Sequence, residues 1–71
     1  MNATAKFMAR QLLSAMLRAG WVIARHGKGS HRVLSKSGFQ DFPFAFHDRE
    51  EVGPHMLAKI AKKTGLTPED L

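Results

Sequence analysis

Four glycines, at positions 20, 27, 29 and 38, divide the middle of this chain into segments too short to be helices. Between them lie Trp-Val-Ile-Ala-Arg (21–25) and Ser-His-Arg-Val-Leu-Ser (30–35). Each carries β-formers and is bounded by turn residues, which is the pattern of a strand. His-Gly-Lys-Gly (26–29) makes the first turn, and Lys-Ser-Gly (36–38), with glycine in its usual late position, makes the second. A third strand is expected over Phe-Gln-Asp-Phe-Pro-Phe-Ala-Phe, residues 39–46. Pro43 has no N–H to give to a ladder, so this strand belongs at a sheet edge or is irregular there. Three short strands joined by tight turns specify an antiparallel meander.

Helices are expected on both sides of it. Thr4 offers an N-cap, and Phe7, Met8, Leu12, Leu13, Met16 and Leu17 recur at helical spacings before Gly20 stops the run. Residues 47–53 read as a loop. Pro54 then suits the first helical position, Met56, Leu57, Ile60 and Ala61 form an apolar stripe, Lys59, Lys62 and Lys63 lie outside it, and Gly65 ends it. Thr67-Pro68-Glu69-Asp70 resembles a capping box that opens one more short turn. The expected fold class is therefore α+β, in the order α-β-β-β-α, with a three-stranded antiparallel sheet and two helices on one face. That is the layout of double-stranded-RNA-binding domains, here a single domain over residues 1–71. The expected core is Phe7, Leu13, Met16, Leu17, Trp21, Ile23, Val33, Phe44, Phe46, Leu57 and Ile60. Trp21, directly after the helix cap, reads as core rather than as a stacking platform. An exposed Phe39 or Phe42 would mark an interface.

Composition narrows the function classes. A chain of 71 residues buries only roughly 60% of its unfolded surface. It contains no cysteine, so there is no disulfide framework and no thiolate metal site. Its start lacks an apolar signal region, and no apolar run is long enough to span a bilayer. A cytoplasmic protein is the expectation. The first forty residues hold seven basic residues and no acid, while the remainder carries −2, for a net charge of +5. A one-sign half of this kind attracts phosphates.

The four histidines, His26, His31, His47 and His55, have no recognised metal spacing, so neither a metal nor another cofactor is expected. Asp48, Glu50 and Glu51, beside Arg49, read as a solvated cluster. Ser30 and His31 are adjacent in an expected strand and point to opposite faces, which rules them out as a nucleophile–base pair. A lone imidazole remains useful on RNA, because RNA brings its own nucleophile, the 2′-hydroxyl. One histidine near its ordinary pKa of about 6.5 can move a proton, a cation can hold phosphate charge, and glycine backbone can approach a phosphate closely. His-Gly-Lys-Gly-Ser-His (26–31) contains all three parts. The same residues also suit an ordinary hairpin turn followed by a half-buried histidine.

The stretch LLSAMLRAGWVIARHGKGSHRVL, followed by a strand ending in Phe-Ala-Phe-His (44–47) and a closing LAKIAKKTGL, resembles the HicA family of toxin endoribonucleases over roughly residues 8–66. The helix–Gly20–Trp21 junction, Gly-Ser-His at 29–31 and the final Gly-Leu at 65–66 carry the likeness. The resemblance implies a double-stranded-RNA-binding-like fold and metal-independent mRNA cleavage by a histidine on the second strand, here His31. It also implies neutralisation by a HicB-type antitoxin that covers the active face. Two features depart from the family. Arg32 stands where many members have a second histidine, and the third strand ends Phe-Ala-Phe-His, with its proline at 43, rather than Val-Pro-Val-His. On this reading His31 is the catalytic acid or base. Lys28, Gly29, Ser30 and Arg32 contact RNA phosphate, and His47 is an auxiliary proton-transfer group. A non-catalytic RNA-binding module and a protein-binding basic face are the alternatives.

Overall fold

The computed structural model describes residues 7–67. Its elements are β1 (Phe7–Met8), α1 (Ala9–Arg18), β2 (Val22–His26), β3 (Arg32–Ser35), β4 (Phe42–Phe44), β5 (Glu51–Val52) and α2 (Pro54–Thr64). The expected α-β-β-β-α core is present, with β2-β3-β4 as an antiparallel sheet in that order. β4, which carries Pro43, is an edge strand as the proline requires.

Four expectations about the elements are corrected. Residues 7–8 are not the first turn of the helix, and the 47–53 segment is not all loop. Phe7 pairs with Val52 and Met8 with Glu51, making a separate two-stranded ribbon. Thr4 lies outside the described residues, and the residue before α1 is Met8, whose N–H donates to the Gln11 side chain at 2.9 Å. The second and third strands are shorter than expected: β3 is Arg32–Ser35 rather than 30–35, which leaves Ser30 and His31 in the turn before it, and β4 is Phe42–Phe44 rather than 39–46. The last three residues of the expected capping box, 68–70, also lie outside the described residues.

α1 forms because Ala9, Leu12, Ala15 and Met16 bury one face at helical spacing. Gly20, at φ +105°, ends it: its N–H reaches Leu17 O at 3.2 Å while the Trp21 N–H reaches Met16 O at 3.0 Å. These two bonds are a Schellman motif, and they turn the chain so that Trp21 enters the core, 2% exposed. α2 starts on Pro54 and stops at Gly65, at φ +74°.

Register decides which sheet face is covered. Ile23 pairs with Leu34, and Leu34 with Phe42; Arg32 pairs with Phe44. Directly opposed residues share a face, so these positions face the helices, where Leu34 and Phe44 join Leu12, Met16, Leu57 and Ile60 in one core. Val33, expected in the core, falls on the other face and is only half-buried; Leu34 takes its place. Leu17, also expected inside, is 42% exposed. Phe7, Leu13, Ile23 and Phe46 are half-buried against the core.

Candidate active site

The β2–β3 turn is closed by two backbone bonds: Gly27 N–H to His31 O at 2.9 Å, and His31 N–H to Lys28 O at 3.1 Å. Its two glycines serve different needs. Gly29 sits at φ +61°, where a side chain is strained, although a Cβ there would meet nothing within 4 Å. Gly27 has no such φ, but a Cβ on it would lie 3.1 Å from the Cβ of His31. Glycine at 27 therefore lets the chain pass close to His31, and glycine at 29 lets it turn.

His31 is exposed, and its Nδ1 lies 3.0 Å from Lys28 O. A carbonyl only accepts, so Nδ1–H is the donor, and the neutral ring carries its lone pair on Nε2. The turn thus fixes both the orientation and the tautomer of this imidazole. Lys28 is exposed on the same turn, and its backbone carbonyl is the group that holds the histidine ring.

Ser30 has a partner with no signal in the local sequence. Its Oγ is 3.0 Å from Nδ1 of His47, seventeen positions away. The His47 backbone N–H donates to the Glu50 carboxylate at 3.1 Å, and the Glu50 N–H donates to His47 O at 2.9 Å. The structure thus sends the neighbours Ser30 and His31 to different partners, Ser30 to His47 and His31 back to Lys28. A hydroxyl donates or accepts, so Ser30 can hold His47 whether that ring is neutral or charged.

Arg32, expected to contact phosphate, is turned towards Asp48. Nη2 stands 3.6 Å from Oδ1, and the arginine side chain is 20% exposed. Its Nη1 is buried with no hydrogen-bond partner. Arg25, not singled out in the sequence, is exposed on β2 opposite Val33, on the face away from the helices. Only the register places that cation on the open face. Among the described residues, no three His, Asp or Glu side chains converge in a metal-holding group.

The family model described as HicA toxin of bacterial toxin-antitoxin matches residues 9–66. Neither a curated protein nor a solved structure matches the chain.

Proposed function

The chain belongs to the HicA toxin family, and from that premise we propose that it is a toxin endoribonuclease. It cleaves mRNA by acid–base catalysis at His31 and is held in check by a HicB-type antitoxin. The observation that carries this reading is the exposed His31, whose Nδ1 is bonded to Lys28 O. That bond leaves Nε2 as the proton acceptor, the state a general base needs.

In the proposed reaction Nε2 of His31 takes the proton from a ribose 2′-hydroxyl. The 2′-oxygen attacks the adjacent phosphorus, and the bond to the 5′-oxygen breaks. The products are a 2′,3′-cyclic phosphate and a 5′-hydroxyl. Lys28 offsets the charge that builds on the phosphate oxygens, and the open Gly29 backbone lets the phosphate approach. His47, with Nδ1 held by Ser30, is the second proton-transfer group and protonates the departing 5′-oxygen from Nε2. Ser30 acts mainly through His47, and Arg32 reaches phosphate only after loosening from Asp48.

The test is cleavage of an RNA oligonucleotide in EDTA, wild type beside His31→Ala. Wild type is expected to yield 2′,3′-cyclic ends in EDTA and His31→Ala to yield none. Equal cleavage by both would remove His31 from the reaction. Tight RNA retention without cleavage by either would favour the non-catalytic module.

A further inference from the structure

The turn around His31 does not account for the groove between the edge strand and the last helix. This groove has a volume of about 760 Å³, and Phe39, Phe42, Phe46, Met56 and Ile60 line it. Phe39 and Met56 are 41% and 43% exposed, so two large apolar side chains meet water in one place. Met56, Lys59 and Lys63 follow one another at helical spacing along α2, one position round from the buried stripe of Leu57, Ile60 and Thr64. With Lys62 they put three ammonium groups on the groove, against one carboxylate, Asp41. Among the described residues, none of these lysines has an acidic partner.

We propose that the antitoxin, in addition to covering the active face, anchors itself in this groove by an acidic amphipathic helix whose apolar side lies on Phe39, Phe42 and Met56. The partner's identity rests on the family reading above. The chemistry of the occupant rests on the groove itself. An apolar floor bordered by lysines is complementary to an apolar stripe flanked by Glu and Asp. Methionine adapts its shape to such a stripe. A strand would suit the site less well, because Pro43 sits mid-edge in β4 and has no N–H for an added strand. RNA would also suit it less well. Stacking needs a free ring face, but Phe39 has Lys36 Nζ 5.3 Å from its centroid, Trp21 tilted against it, and Gly65 close by. A Cβ on Gly65 would stand 3.3 Å from the Phe39 ring.

The experiment compares wild type with Lys59→Glu/Lys62→Glu/Lys63→Glu and with the milder Lys59→Gln/Lys63→Gln. Each is titrated with the purified antitoxin and assayed for RNA cleavage alone. All three lysines are exposed, so folding should survive and melting curves check it. Charge reversal is expected to weaken antitoxin binding roughly 100-fold and the glutamine variant roughly 10-fold, with smaller differences at high salt. Free cleavage should stay within about twofold of wild type. Unchanged antitoxin affinity in the charge-reversed protein would overturn the proposal while leaving the toxin reading intact. With affinity unchanged, a loss of cleavage would make the groove an RNA path, and a shift from dimer to monomer would make it a self-association face. A wild type that bound no antitoxin would remove the partner itself.

Discussion

Replacing Gly27 with alanine tests whether the turn sets the position of His31. The new Cβ would lie 3.1 Å from the His31 Cβ and 3.7 Å from the His31 carbonyl oxygen. Carbon atoms prefer about 3.5–4.0 Å, so one of the two must move by roughly 0.5 Å. Gly27 is outside the left-handed region, so its own backbone accepts alanine without strain. The displacement therefore falls on His31. A misplacement of about 1 Å at a reacting group costs roughly 100-fold in rate, so half of that predicts a loss of about tenfold. Stability should barely change, because alanine removes about 0.4–1 kcal/mol of freedom from the unfolded chain and offsets the crowding. Single-turnover cleavage of a fluorogenic RNA reads the first effect and thermal melting the second. Gly29→Ala contrasts with it in stability. Its Cβ meets nothing, but φ +61° costs an alanine about 1–2 kcal/mol, so the melting temperature should fall. If Gly27→Ala cleaved within twofold of wild type, close packing at residue 27 would not be what places the imidazole.

Two further outcomes follow from the same geometry. Ser30→Ala removes the bond to His47 and should slow cleavage less than His47→Ala does. The double variant should be no slower than His47→Ala alone, and full additivity in the rates would break the link between the two residues. Melting of Ser30→Ala should stay within about 0.5 kcal/mol of wild type. Gly65→Ala should destabilise by about 1–3 kcal/mol in a denaturant titration, because it adds a left-handed alanine at φ +74° to a contact of 3.3 Å with the Phe39 ring. An unchanged midpoint would mean that α2 can end without a left-handed cap.

The parts of the fold that were legible in the sequence are those with local causes. Gly20 and Trp21 announce the end of α1, because the Schellman bonds span only six residues. Pro54 and Gly65 bound α2 for the same reason. Pro43 marks an edge strand through its missing donor. What was not legible depends on register or on distant pairing. Val33 and Leu34 are both apolar, and only the pairing of Leu34 with Ile23 decides which faces inward. Phe7 and Met8 fit a helical stripe as well as a strand. Their partners are Val52 and Glu51, and a two-residue strand has no period to read. Of the candidate site, Lys28, Gly29 and His31 were legible as a group because they lie in one turn. The Ser30–His47 contact was not, because the meander has to fold before they meet.

The acidic loop before α2, out of place beside an RNA path when only charges are counted, has local uses for its acids. The Asp48 carbonyl accepts the Arg10 N–H at 3.2 Å, and the Glu50 carbonyl accepts the Ala9 N–H at 2.8 Å. Two donors left over at the start of α1 are thereby satisfied without a side-chain cap. The carboxylates face the other way chemically: Glu50 takes the His47 N–H, and Asp48 pairs with Arg32. One segment thus seals a helix terminus with its backbone and steadies the second histidine with its side chains. The β1–β5 ribbon fastens this segment to the start of α1. The His47 part of the candidate site therefore depends on pairing across the sheet, and the His31 part on one local turn.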